Sequence, residues 1–343
     1  MPILRSALLG APAPAKRQCF VYNHELHAHL NGSLSATSLQ KLGCSNEEIS
    51  EYQKLAELQA TEKTLNECFK LFKVAHNATK NPQAVYLATK YVIEDFYNDN
   101  VAYLELRTTP REEENMSRVE YIESVVKAIE DCDKKIIVKL LLSIDRSNNL
   151  KVEENMEVII KMKEKYPHVI KGVDFSGNPY VGGFNPKLFQ KARDSGLFVT
   201  LHCAEIKNDK EVEEILKFRP DRIGHGTFLL SNDHIWKLYL DTNIPLECCL
   251  TSNVACGTTK SYKEHHLQEW IKNSLPFTLC TDDKGVFGTT LSKELVLACQ
   301  YFSLKPTDLW DMTLKTISYT FASDEEKTFL TTTLQDWKMK NHF

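Results

Sequence analysis

Glu25-Leu26-His27-Ala28-His29-Leu30-Asn31-Gly32-Ser33 alternates polar and apolar residues as a β-strand does, then breaks into a polar turn. Residues two apart on a strand point the same way, so His27 and His29 can grip one metal ion from a single strand. Outward from this segment the pattern repeats: short β-type runs alternate with longer helical stretches, as in parallel strands joined by crossover helices. Strands are predicted at 25–30, 101–107, 136–144, 170–175, 197–202, 222–225, 245–250 and 276–281. Eight such units predict an α/β chain folded as a (β/α)8 TIM-type barrel, with extra helices after strand one and at the C-terminus, near 292–302, 306–318 and 324–338. Reactive groups fall where such a barrel keeps its chemistry, at the C-terminal ends of the strands: His27 and His29, Arg107, Asp145, Gly177, His202 and Glu205, His225, Ser252 and Asn253, Asp282 and Asp283.

Between strands one and two, Ser45 with Glu48 and Thr64 with Glu67 have the spacing of capping boxes. Leu65, Cys68, Phe69, Phe72 and His76 share one helical face, so the helix is expected to bury its aromatics and carry His76 with them. Residues 1–24 contain no acid and too short an apolar run for a signal-peptide core, and are expected to be a disordered leader before a single domain over 25–343. Among 343 residues, 42 Lys and Arg against 46 Asp and Glu leave a net charge of -4, with no basic stripe for nucleic acid. No apolar segment approaches the ~20 residues that span a bilayer. The 10 cysteines form no Cys-x-x-Cys pair, which suits reduced thiols in a cytoplasmic setting, and none looks like a zinc ligand.

His202-Cys203-Ala204-Glu205 adds an imidazole and a carboxylate, although a solvated His before a helix-starting Glu would read the same. His225 lies between Gly224 and Gly226, where backbone can approach a ligand, or where a tight turn carries an incidental His. Asp282 and Asp283 are side by side, and two such anions repel unless a cation or proton separates them. Together they suggest zinc held by His27, His29, His202 and Asp282, with Glu205, His225 and Asp283 left for acid–base work. A second metal is not expected, because Lys171 lies at the beginning of strand four and not at its end. His24 has the opposite parity to His27 and should face the outer helices.

From about Glu25 to the C-terminus the ordered set His27-x-His29, His202-x-x-Glu205, Gly224-His225-Gly226 and Thr281-Asp282-Asp283 resembles the adenosine deaminase family. His27-Ala28-His29-Leu30-Asn31-Gly32-Ser33, Leu104-Glu105-Leu106-Arg107, Leu250-Thr251-Ser252-Asn253 and Thr281-Asp282-Asp283-Lys284-Gly285-Val286-Phe287 are most similar to the members that act on N6-methyl-AMP. The resemblance implies one Zn2+ per chain on His27, His29, His202 and Asp282, and hydrolytic deamination of N6-methyl-AMP to IMP. It further implies that Glu205 protonates purine N1 and the Gly177 N–H binds N3. His225 would orient or deprotonate the zinc-bound water, and Asp283 would hold the resulting hydroxide for attack at C6. His29 and Asp283 thereby also count as substrate contacts.

No P-loop is present, so the 5′-phosphate is placed where His76 leads into Thr79-Lys80-Asn81 ahead of a helix beginning at Pro82, since a helix N-terminus offers free N–H groups. Thr79 or Asn81 as a plain helix cap beside a solvated Lys80 is the alternative. Asp145 is a candidate ribose or phosphate-side contact, with an ion pair to Arg146 or Arg107 as its alternative. Asn31 stands where adenosine deaminases proper carry Asp, which favours a nucleotide over a nucleoside. The expected partner is thus a small purine nucleotide substrate, with no nucleic acid or membrane, and the chain is expected to be a monomer. A nucleoside deaminase and a catalytically silent binding barrel are the rival functions; the second should have lost a ligand or acid–base residue, and none is missing.

Overall fold

The computed structural model describes residues 22–56, 65–147 and 151–341. Its sheet has eight parallel strands in sequence order: β1 (Asn23–His29), β2 (Val101–Thr108), β3 (Ile137–Asp145), β4 (Ile170–Ser176), β5 (Phe198–Cys203), β6 (Arg222–His225), β7 (Leu246–Cys248) and β8 (Phe277–Leu279). Residues just beyond β8 close the ring. Ala28 bridges in parallel to Asp282, whose N–H donates to His27 C=O (2.8 Å) while its C=O accepts from His29 N–H (3.0 Å). The seam of this TIM-type barrel therefore passes through three of the expected metal ligands.

β2 is buried along its whole length, as strands covered on both faces are. The helices inserted after β1 are Ala36–Lys41, Asn46–Ala56, Leu65–Ala78 and Pro82–Asn98, and those at the C-terminus are Leu291–Phe302, Pro306–Tyr319 and Asp324–Asn341. Ser45 and Glu48 form the expected reciprocal cap, each side chain accepting the other's N–H at 3.2 and 2.9 Å. The Thr64–Glu67 cap lies outside the described residues. No described helix is long and apolar enough to cross a membrane.

Four expectations need adjusting. β1 begins at Asn23, whose N–H bonds Asn100 C=O at 3.0 Å, so residues 23 and 24 belong to the barrel and not to a leader. The seventh strand stops at Cys248, because Thr251 is drawn off the ladder by the buried Glu294 (N–H to Oε2, 3.0 Å); Ser252 and Asn253 then sit on the short helix Leu250–Ala255. Glu205 follows in a loop, since the next helix starts only at Asp209. His76 is exposed: in its helix Leu71 and Ala75 face the core and Phe72 is half-buried. His24, as its parity requires, is buried beside Thr313 of the C-terminal helix Pro306–Tyr319.

Candidate active site

Side chains from β1, β5 and the turn after β8 meet at one point. His29 Nε2 is 3.2 Å from His202 Nε2, while Asp282 Oδ1 is 3.3 Å from His27 Nε2 and 3.4 Å from His29 Nε2. Four ligands at ~2.05 Å around a tetrahedral zinc lie about 3.3 Å apart, so these separations match the edges of such a shell. His27 Nε2 is buried without a hydrogen-bond partner, and burial lowers His29 to a pKa of about 3, keeping it in the neutral form that binds metal. Ser252 Oγ donates to Asp282 Oδ2 at 2.6 Å and leaves Oδ1 facing the imidazoles. Gly224 makes room: a Cβ there would lie 2.8 Å from His27 Cε1.

Behind the ligands is an ionic layer that sequence reasoning missed. Glu247, fully buried on β7, accepts from His27 Nδ1 (2.7 Å), Arg107 (2.9 Å), Arg222 (2.7 Å) and Thr200 (2.9 Å). Asp174 on β4 accepts from His202 Nδ1 (3.0 Å), Arg107 (3.1 Å) and Ser143 (2.8 Å). Arg222 also pairs with Glu105. Burial opposes the charge on Glu247, but Arg107, Arg222 and His27 outweigh it and hold the carboxyl well below the usual range. For Asp174 burial is likewise overcome, by His202 and Arg107. Each carboxylate accepts the Nδ1–H of its imidazole, which leaves Nε2 of His27 and of His202 facing the centre, the orientation metal-ligating histidines need. The signal was present as acids of inward parity on the barrel strands, two of them opposite the predicted ligands.

The remaining expected groups line the same rim. Ala204, with φ +55, turns the chain so that Glu205 Oε2 comes within 3.8 Å of His225 Nε2, which is 4.0 Å from Asp282 Oδ2. Burial lowers His225 to a pKa of about 4, so it is neutral near pH 7. Asp283 is buried against Gly32, where a Cβ would collide with Oδ1. Gly177 (φ +105) follows β4 and faces Asp145, whose Oδ1 accepts from Ser147 N–H at 2.8 Å. Arg146 is engaged by Glu211 and Arg107 by Asp174 and Glu247, so the alternative ion pairs for Asp145 do not form.

The phosphate candidates separate. Thr79 is buried and lies 3.5 Å from Asn31 Oδ1 through its hydroxyl. Asn81 caps the helix Pro82–Asn98 by accepting Ala84 N–H at 2.9 Å, and Lys80 is exposed beside it, as the cap alternative had it. Arg111, which sequence reasoning did not single out, binds Thr79 Oγ1 (2.7 Å), Thr79 C=O (2.6 Å) and His76 C=O (3.5 Å), while its Nη1 is buried without a partner. Asn31, His76, Thr79 and Arg111 therefore form one cluster, two residues along β1's exit from His29.

The sequence profile described as "Adenosine deaminase" matches residues 23–337. An adenosine deaminase-like protein of Drosophila melanogaster is 43% identical over 312 residues, 88% of this chain and 92% of the relative. The apo structure of the N6-methyl-AMP deaminase from Arabidopsis thaliana is 35% identical with a TM-score of 0.84, covering 93% of this chain and 98% of that one. Arabidopsis ADAL complexed with IMP is 34% identical with a TM-score of 0.83, covering 94% and 98%. Profile, relatives and architecture agree with the geometry at the strand ends, and the chain belongs to the adenosine deaminase family.

Proposed function

We propose that the protein is a zinc-dependent hydrolase that converts N6-methyl-AMP to IMP and methylamine, and that accepts related N6-substituted purine nucleoside monophosphates. The observation that carries the nucleotide reading is the cluster at the end of β1, where neutral Asn31 meets Thr79 and an arginine whose Nη1 is buried and unsatisfied. A phosphate would satisfy that donor, and an aspartate at position 31 would repel it. The relative from Arabidopsis named for N6-methyl-AMP and the neighbour complexed with IMP support the same substrate class.

His27, His29, His202 and Asp282 would hold one zinc ion. Bound there, zinc supplies a water acidified from 15.7 to a pKa of roughly 7. Lys171 lies at the opposite end of β4, bonded to Pro167 C=O at 2.8 Å, where it cannot bridge a second ion. The other roles belong to the chain. Gly177 N–H receives purine N3, and Glu205 gives a proton to N1, which draws electrons from C6. Asp283 and His225 hold the attacking water oxygen against C6, Asp145 contacts the ribose side, and His76, Thr79 and Arg111 hold the phosphate, with Lys80 and Asn81 at its edge. Water adds to C6, the exocyclic nitrogen takes up a proton, and the C6–N bond breaks to release the amine and leave the 6-oxopurine.

The test is metal analysis of the purified protein alongside turnover of N6-methyl-AMP, AMP, adenosine and N6-methyladenosine. One zinc per chain and release of methylamine with IMP from N6-methyl-AMP are expected. Protein that carries one zinc and turns over only the nucleosides would overturn the nucleotide assignment.

A further inference from the structure

Two adjacent buried histidines, His265 and His266, take no part in the mechanism above, yet both reach His225. Burial lowers both, His266 to about 4 and His265 well below the ordinary value of 6.5. His266 Nε2 lies 2.8 Å from His225 C=O, and since a carbonyl only accepts, that nitrogen carries the proton. It pins the backbone of a residue held at φ +63, a left-handed conformation that residues other than glycine rarely adopt.

His265 acts on the ring. Its Nδ1 accepts from Leu267 N–H at 3.1 Å, so the one proton of the neutral imidazole is on Nε2. Nε2 then donates to Asn253 Oδ1 at 3.1 Å, which turns the amide Nδ2 toward His225 Nδ1, also at 3.1 Å. An amide nitrogen only donates, so His225 Nδ1 must accept, and the proton of neutral His225 is forced onto Nε2.

We propose that His265 and Asn253 are positioning residues that lock His225 in its Nε2–H tautomer, presenting a hydrogen-bond donor and not a base to the reacting centre. This rests on the deaminase reading for its catalytic consequence but not for the tautomer itself. Two things follow. A protonated Nε2 has no lone pair for a metal, so although His225 is grouped with His27, His202 and Asp282 within 4.8 Å, the third imidazole ligand is His29. In catalysis His225 steadies negative charge on the attacking oxygen, and the proton that oxygen loses goes to a carboxylate of the site.

The test is long-range ¹H–¹⁵N correlation spectroscopy on zinc-loaded protein labelled with ¹⁵N-histidine, with the His225 signals identified by their absence in His225→Gln. The expected wild-type spectrum has the proton on Nε2 and an unprotonated Nδ1. In Asn253→Asp the carboxylate accepts from both rings, so the His225 proton should move to Nδ1, with kcat falling about 100-fold or more and KM little changed; a wrong tautomer in a catalytic triad lowers kcat by ~10⁴. A loss of packing alone would not move the proton. Wild-type protein with His225 protonated on Nδ1, or Asn253→Asp with an unmoved proton, overturns the relay. The wild-type spectrum decides even if the variant does not fold, and it does so whichever purine the enzyme uses.

Discussion

Replacing Glu247 by Gln keeps the shape of the side chain and removes the charge at the centre of the barrel. Four donors converge on that carboxylate at 2.7–2.9 Å, from His27, Arg222, Arg107 and Thr200. An amide has one oxygen, so its NH2 group must face donors on the other side. A unit-charge pair at ~4 Å contributes about 4 kcal/mol at an effective dielectric near ~20, which would suggest ~8 for the two arginines. Each arginine keeps a second carboxylate, however: Asp174 for Arg107 and Glu105 for Arg222. We therefore take the lower end of the range for breaking a buried pair, about 3 kcal/mol. The His27 Nδ1 proton also loses its acceptor, which should weaken zinc binding by ~10–100-fold. Urea unfolding of chelator-stripped protein reads the first effect, and competition with a chromophoric chelator reads the second. Stability within ~1 kcal/mol of wild type, or an unchanged zinc affinity, would refute the claim that this carboxylate both neutralises the core and orients a ligand.

Glu205→Gln should retain zinc and nucleotide affinity but lose ~10²–10⁴-fold in turnover, because the amide has no proton of suitable acidity for N1; near-native kcat would place the acid elsewhere. Asn31→Asp should lower turnover of N6-methyl-AMP about 100-fold, roughly 2.7 kcal/mol, with a smaller loss on N6-methyladenosine; equal losses would reduce Asn31 to a pocket-shaping role. His24 and His266 are held neutral by burial at about 4, below the ordinary value of 6.5, so the unfolded chain protonates first. Their contribution is complete above ~6.5 and is lost as pH falls toward ~4, on the order of 3 kcal/mol each. Urea unfolding of metal-free protein across that window should show His24→Phe with a shallower dependence than wild type. Removing the metal should speed hydrogen exchange at the Asp282 and His29 amides of the β1–β8 seam more than at the β3–β4 ladder; equal protection with and without metal would separate the ion from barrel closure.

Strand order and the convergence of His27, His29, His202 and Asp282 were legible because each depends on local pattern: a two-residue period places His27 and His29 on one side, and apolar runs that end in polar residues mark the barrel's rim. Glu247 and Asp174 were not, since an acid inside an apolar run gains meaning only when the closed barrel sets it against an arginine from another strand, 140 residues away for Glu247 and Arg107. His76 misled for a related reason: the helical period gave its face, but only packing decides how far round the helix the buried stripe extends. Arg111 was invisible because it contacts Thr79 across 32 residues of chain, through a loop that no periodicity describes.

The buried layer fixes the rings of His27 and His202 through Glu247 and Asp174. Arg107 and Arg222 stand against Glu105, Asp174 and Glu247, and His27 links Glu247 to Asp282. A divalent ion held at Nε2 of His27 and of His202 would add positive charge beside these carboxylates, although none of Arg107, Arg222, Glu105 and Glu247 would touch it. The barrel seam, Asp282 against His27 and His29, then joins the ligands through the backbone while Glu247 and Asp174 join them through their rings. Fold closure, charge balance and ligand orientation thus converge on the same few residues. This is why a change at Glu247, buried out of reach of the substrate, is expected to be felt in stability and in metal affinity together.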